Sequence, residues 1–372
     1  MFHEGTIYVI DNLFIVFIYH FATECIIKIR DIIGIYGYFL LFCMSLCIYY
    51  KEVMRIIQYI GVILFFFLVS CEKNDVEPQK TRTLMVYLAG DNNLSGHMQK
   101  NISSMMSAWK ESYNANIVIY FDAPNAAPEL YTFRFKGKEV EKQVLKTYEE
   151  MDSADPEVLK KILNEMQDLY PSDSYGLILG SHASGWIPSG ASGRSNRMLH
   201  AEPVLTRSFG KDYTGSNEMD TRDMAKAIPF NKENLEFILF DACLMSSIEV
   251  LYDLRDKAKY VIASPAELPA PGFPYDRVMP YFWGKGADLE KDLVKVCDEF
   301  WNYYNTYNAA SRFGTIALIK MDGMEHLFDL TREVLQGQKE NVATIKQNAV
   351  YCYPMVEYTK HDRFFDLGEY MK

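Results

Sequence analysis

Five short apolar runs, each closed by a polar or small residue, set the limits on what this chain can fold into. Leu84–Leu88, Ile117–Phe121, Gly176–Leu179, Leu235–Phe240 and Val261–Ala263 are continuous rather than alternating, Glu236 near the start of the fourth being the one interruption. That is the pattern of strands covered on both faces, as in a parallel sheet. Thr315–Ile319 is a further candidate strand, and Tyr131–Phe135 with Val140–Val144 reads as a small hairpin. Helical patterns fall between them, near Gln99–Glu111, Pro156–Leu169, Asp220–Ala227, Ser246–Lys257, Leu289–Tyr304 and Asp322–Leu335. Strand, helix, strand over about 240 residues predicts a doubly wound α/β domain.

Composition narrows the function classes. With 49% hydrophobic and 23% charged residues in 372, neither wholesale disorder nor a disulfide miniprotein fits. A formal charge of -11 and a pI near 5.2 leave no basic surface for phosphate contacts, so nucleic-acid binding is excluded. No GxSxG, P-loop or GxGxxG follows a strand, which removes the serine-hydrolase and nucleotide-binding readings.

Functional groups in open α/β sheets collect where strands end at their carboxyl side. The run Tyr175–Gly180 ends in Ser181-His182-Ala183-Ser184-Gly185-Trp186, and Phe237–Phe240 ends in Asp241-Ala242-Cys243-Leu244-Met245. Of seven cysteines, Cys25, Cys43, Cys47 and Cys71 lie in an apolar leader, while Cys243, Cys297 and Cys352 form an odd set with no CxxC spacing. Zinc knuckles and a disulfide framework are therefore not indicated. Cys297 fits a buried position on an amphipathic helix. Taken singly, Cys243 reads as a small core residue and His182 as a loop histidine. Together at two strand ends they read as a thiol and the imidazole that accepts its proton, which suffices for acyl transfer.

Those two blocks resemble the catalytic blocks of the clostripain family of cysteine peptidases, relatives of caspases, legumains and gingipains. Met85–Ala89 leading to Asp91-Asn92-Asn93-Leu94, and Met151–Leu159 with Asp155-Pro156-Glu157, resemble the same family. The resemblance covers roughly Thr83 to Ile319. It implies a caspase-like three-layer sandwich with a mostly parallel central sheet, acting as an endopeptidase on proteins or peptides. Cys243 would attack the scissile carbonyl, His182 would handle the proton, and the backbone amides of Ala183 and Cys243 would hold the oxyanion. The family's commoner His-Gly is His182-Ala183 here; alanine keeps the N–H, provided the turn does not demand a positive φ.

The resemblance also implies cleavage after Arg or Lys. The acid two residues before the cysteine, Asp241, would face the guanidinium; the alternative is that Asp241 caps the helix starting near Ser246. Glu267 or Asp276, in the proline-rich loop Ser264–Asp276, would form a second wall. A basic residue in Ile187–Met219, among Arg194, Arg197, Arg207 and Lys211, is a candidate site of self-cleavage, the alternative being an ordinary surface loop. Calcium dependence is implied by relatives, but no EF-hand spacing is present and no metal ligand is assigned. A different reading is a catalytically silent surface lipoprotein of the same fold, serving in binding or assembly.

The N-terminal 70 residues hold only five acids and four bases. Met54-Arg55, the apolar stretch Ile56–Phe67 and Leu68-Val69-Ser70-Cys71 resemble a bacterial lipoprotein signal over 54–70. Cys71 would become the lipidated first residue, residues 71–82 a tether, and the domain 83–372 would sit at the cell envelope on the periplasmic face or cell surface. Residues 1–53 then read as sequence upstream of the true start. The alternative is a helical hairpin of Ile32–Tyr50 and Ile56–Ser70. The peptidase domain reads as C-terminally truncated, because Gly368–Lys372 ends in an unfinished helix.

Overall fold

The computed structural model describes residues 49–51, 82–186, 209–215, 218–308, 312–338, 340, 344, 349–353 and 364–371. The chain divides into two compact units, residues 1–77 and 78–372. In the first, only residues 49–51 are described, and they are helical. The lipoprotein signal, the alternative hairpin and Cys71 lie outside the described residues. Among those described, no helix is long and apolar enough to cross a membrane.

The second unit is built on one eight-stranded sheet. Its strands are β1 (Thr83–Ala89), β2 (Asn116–Ala123), β3 (Ala126–Lys136), β4 (Glu139–Thr147), β5 (Tyr175–Gly180), β6 (Leu235–Asp241), β7 (Tyr260–Ala263) and β8 (Ala317–Lys320). Their order is β4-β3-β2-β1-β5-β6-β7-β8. The five strands from β2 to β7 pair in parallel, while β3, β4 and β8 are antiparallel additions at the edges. Every residue of β1 and β5 is buried, as the unbroken apolar runs require.

Helices cover both faces. On one side, Met85, Tyr87 and Ala89 of β1 pack with α2 (Pro156–Leu169), α3 (Thr221–Ala227) and α4 (Ile248–Asp253). On the other, Leu84, Val86 and Leu88 pack with α1 (Ser95–Ala108), α5 (Tyr275–Val278) and α6 (Ala287–Asn305). This is a three-layer αβα sandwich. The helix α2 shows why the chain folds so: Leu159, Ile162, Leu163 and Met166 make one buried stripe at helical spacing. Pro156 stands at the first turn, and Asp155 accepts from the Glu157 amide at 2.7 Å, satisfying an otherwise orphaned donor. Each of those buried apolar side chains contributes about 1.5–3 kcal/mol of burial. Near the C-terminus, α7 (Met324–Gly337) follows β8, and α8 (Leu367–Tyr370) is a single short turn.

Several boundaries change, and the helix expected near Gln99–Glu111 falls at Ser95–Ala108. The hairpin β3–β4 runs over Ala126–Thr147, longer than its apolar parts, because the exposed Lys and Glu residues of β4 suit a solvent-facing edge. The helix expected over Ser246–Lys257 shortens to Ile248–Asp253. Leu244 adopts φ +63, and the Leu244 and Ser246 amides donate to Ala266 and Ser264 carbonyls at 3.0 and 3.1 Å. The segment after β6 is thereby spent on the neighbouring loop.

Candidate active site

Register places the rim. Gly180, the last residue of β5, pairs with Asp241, the last of β6. His182 and Cys243 thus each lie two residues beyond one hydrogen-bonded pair of parallel strands, which run about 4.8 Å apart. The two loops meet: a Cβ on Gly185, whose φ is +69, would stand 2.6 Å from the Leu244 carbonyl oxygen. Phe364 closes the same contact, forming a small apolar cluster with Leu244 against which Cys243 packs.

Each candidate side chain has its own support. The Leu268 amide donates to Cys243 Sγ at 3.2 Å. A donor aimed at sulfur favours the thiolate. His182 is half-buried, and its Nε2 lies 2.6 Å from Asn93 Oδ1. An amide oxygen only accepts, so Nε2 carries the hydrogen and Nδ1 keeps the lone pair. Burial, and secondarily the Lys211 ammonium, lower the His182 pKa to about 4, so the ring is a neutral base at neutral pH. Asn93 is carried by a loop that Asn92 locks: Asn92 Nδ2 donates to the Ala89 and Lys211 carbonyls at 2.9 and 2.8 Å. Ala183 lies outside the positive-φ region and bridges Phe209, so alanine in place of the commoner glycine is unstrained there.

Asp241 does not cap α4, which begins seven residues later and takes no side-chain cap. Its carboxylate accepts from the Tyr275 hydroxyl at 2.9 Å, with Asn101 Nδ2 at 3.4 Å. Burial raises its pKa to about 6, opposed by Tyr275 and the Phe273 amide. Gly272, at φ +70, makes the room: a Cβ there would stand 2.5 Å from both carboxylate oxygens. Glu267 is half-buried in the Ser264–Asp276 loop. Asp276 is exposed on the outer side of α5, where its amide donates to the Ser104 hydroxyl at 2.8 Å. Of the basic residues proposed for self-cleavage, Arg194, Arg197 and Arg207 lie outside the described residues. Lys211 is bonded on both backbone sides, its amide donating to Ser181 Oγ at 3.3 Å and its carbonyl accepting from Asn92. Cys297 lies on α6 with its thiol pKa raised to about 12 by burial, as an inert core cysteine.

The sequence profile of the clostripain family matches residues 86–372. The chain belongs to the clostripain family. It is 29% identical over 254 residues to clostripain of Hathewaya histolytica, a match covering 61% of this chain and 47% of that protein. The chain thus spans about half the length of that curated relative. A secreted C11 cysteine protease from Bacteroides thetaiotaomicron, solved with an irreversible peptide inhibitor, superposes with a TM-score of 0.63 at 29% identity, covering 78% of this chain and 77% of the other. An inactive zymogen C11 protease from Parabacteroides distasonis gives 0.64 at 32% identity, covering 79% and 77%. The fold is that of the clostripain family's caspase-like sandwich.

Within that family frame, Asn93, Leu268, Tyr275 and Gly272 are the residues that sequence reading passed over. Asn93 was within its reach, because it follows β1 as His182 follows β5, and the same strand-end rule applies. The partners of Asp241 carry no comparable signal, since a Tyr and a Gly in a proline-rich loop have many structural uses.

Proposed function

We propose that this chain is a cysteine endopeptidase cleaving after Arg or Lys. The observation that carries the proposal is the Gly180–Asp241 register, which sets a thiol and an imidazole at equal offsets beyond neighbouring strands. Family membership supports it, as do the peptidase relatives.

The Cys243 Sγ–H proton passes to His182 Nδ1 while sulfur bonds the scissile carbonyl carbon. Asn93 holds the ring through Nε2–H, so the lone pair needs no reorientation. The carbonyl oxygen, now anionic, is held by the Ala183 and Cys243 amides. Collapse breaks the C–N bond, and His182 returns its proton to the departing amine. A water then attacks the thioester, His182 takes its proton, and Sγ leaves as the acid is released. Asp241 receives the basic side chain before the cleaved bond, with Glu267 and Asp276 as further acids of the adjoining loop.

The test is hydrolysis of fluorogenic peptides differing only before the scissile bond, by the full chain and by Cys243→Ala. Cleavage after Arg or Lys that vanishes in the variant supports both assignments. Cleavage after other residues keeps the dyad and removes the Asp241 pocket. No cleavage by either protein, with calcium present, returns the silent-lipoprotein reading. For the leader, we propose lipidation of Cys71, which places the domain at the cell envelope. Radiolabelled palmitate incorporated into the wild type and absent from Cys71→Ala supports it, and label in both rejects it.

A further inference from the structure

An amine released by cleavage must leave beside the group that protonates it, so the peptide after the cut departs past His182, over the end of β5. The pocket of Asp241 opens on the loop after β7, at Gly272 and Tyr275, so residues before the cut belong to that side. In the sheet β5 lies between β6 and β1, and the departing chain therefore runs toward the end of β1. Neighbouring strands stand about 4.8 Å apart and an extended peptide advances about 3.3–3.6 Å per residue. The first three residues after the cut cover that crossing. Lys211 stands there. The Gly210 amide donates to the His182 carbonyl at 2.9 Å. The Lys211 amide donates to Ser181 Oγ beyond β5, and its carbonyl accepts from Asn92 beyond β1. Its backbone is thus fixed between the two strand ends, while its half-buried ammonium is near enough to weigh on the acidity of His182.

The acids nearby leave that ammonium unspent. Asp91 Oδ2 accepts from the Thr214 amide and hydroxyl at 3.0 and 2.9 Å. Asp212 Oδ1 takes the Thr214 and Gly215 amides at 2.9 and 2.8 Å, and Oδ2 the Ser153 amide and hydroxyl at 2.8 and 3.1 Å. These two gather with Glu150 and the buried Asp122 near the ends of β1 and β2, and their bonds hold the Phe209–Gly215 segment in place. Among the described residues, no Asp or Glu forms an ion pair with Lys211. Lys142, Lys146, Lys226, Lys259 and Lys295, by contrast, each hold a carboxylate. Lys211 has a ring instead. Its Nζ stands 5.4 Å from the centroid of Tyr213, a residue 53% exposed whose amide donates to the Asp91 carbonyl at 2.9 Å. A cation steadied over an aromatic face keeps its place without a counter-charge and stays open to an incoming anion.

We propose that Lys211 is a specificity-determining residue that binds the carboxylate of an Asp or Glu carried within the first three residues after the cleaved bond. The inference rests on the peptidase reading. Asp241 and Lys211 then set opposite charges on the two sides of His182 and Cys243, so the preferred segment is basic before the cut and acidic after it. That order also fixes direction, because a peptide laid across the rim backwards would meet a like charge at each end. Lysine suits the place, since a compact ammonium on a flexible stem reaches acids at more than one position.

The test uses quenched fluorescent peptides with Arg before the cut and Ala or Glu at the first, second or third place after it. Their C-termini are amidated, so that only side chains carry carboxylates. The readout within each protein is KM for the Ala peptide divided by KM for its Glu counterpart. In the full wild-type chain that ratio should reach about fivefold at one of the three places, with kcat unmoved, and should shrink in about 0.5 M NaCl. Lys211→Arg should keep the ratio, Lys211→Met should bring it to about one, and Lys211→Glu should invert it. Lys138→Met removes an equal charge at the β3–β4 turn and should leave it at the wild-type value. A ratio near one at all three places in the wild type, a ratio that survives Lys211→Met, or an equal loss in Lys138→Met overturns the proposal. Cleavage without that preference sinks this inference alone. If the chain cleaves none of the peptides, the ratio is read as Kd by fluorescence anisotropy of the singly labelled peptides on Cys243→Ala. A preference for Glu there that needs Lys211 keeps the subsite and sinks only the peptidase reading, and equal binding overturns the subsite.

Discussion

Above β5 and β6 His182 and Cys243 stand two residues past a single hydrogen-bonded pair, whereas above β1 and β2 the acids arrive from four separate segments. The first arrangement is fixed by strand register, and register is fixed by the core that both strands fill. The second depends on loops holding their places, which Asn92 and the Asp91–Thr214 bonds arrange. A rim set by register tolerates changes in its surroundings but not in its two side chains. A rim set by loops should lose its arrangement in smaller steps.

The largest expected effect lies on the register side. Cys243→Ala should lower kcat/KM for an Arg-containing peptide by about 10^4-fold or more, because the variant removes the proposed nucleophile. Residual turnover within tenfold of wild type would show that the thiol next to Leu268 is not the nucleophile.

Asp241→Asn comes next. It keeps the Tyr275 hydrogen bond but removes the charge, so kcat/KM for Arg and Lys peptides should fall about 100-fold while peptides with neutral residues there change little. Acidity sharpens the point. The carboxyl is charged only above its pKa of about 6, so kcat/KM for basic peptides should rise with pH through about 6 in the wild type. In Asp241→Asn that limb should vanish, leaving the one near 4 at which His182 gains its proton. An unchanged limb near 6 in the variant would assign it to another group.

How far these two rims could be read from sequence follows from the same contrast. The buried strands announced themselves as continuous apolar runs, and α2 was bounded correctly because Asp155, Pro156 and a four-residue stripe all point to one start and one face. The strand-end rule reached His182 and Cys243, since each rides on a strand that is itself legible. It did not shorten α4, because nothing in Ser246–Lys257 shows that Ala266 and Ser264 will claim the Leu244 and Ser246 amides. Nor could spacing reveal the acids Asp91, Asp122, Glu150 and Asp212, which are far apart in the chain and meet only through the sheet order.

Asn93 tests the join between the two rims. Asn93→Ala should lower kcat about tenfold with KM held, since the imidazole loses its Nε2 partner and not its place in the chain. Asn93→Asp should restore part of the rate and shift the His182 limb upward from about 4, because a carboxylate favours the imidazolium. A purely structural role for Asn93 would move stability and KM but leave that limb in place.

The smallest effect belongs to Lys211. Its ammonium is the lesser of the two influences that lower the His182 pKa, burial being the larger. Lys211→Met removes the charge and keeps the stem's bulk, and the backbone bonds to Ser181 and Asn92 do not depend on the side chain. The imidazole should therefore titrate at a slightly higher pH, read by NMR on the ring protons, with kcat at pH 7.5 essentially unchanged because the ring is neutral there in either protein. A shift larger than that produced by Asn93→Asp would mean that charge, and not burial, sets the acidity of this histidine.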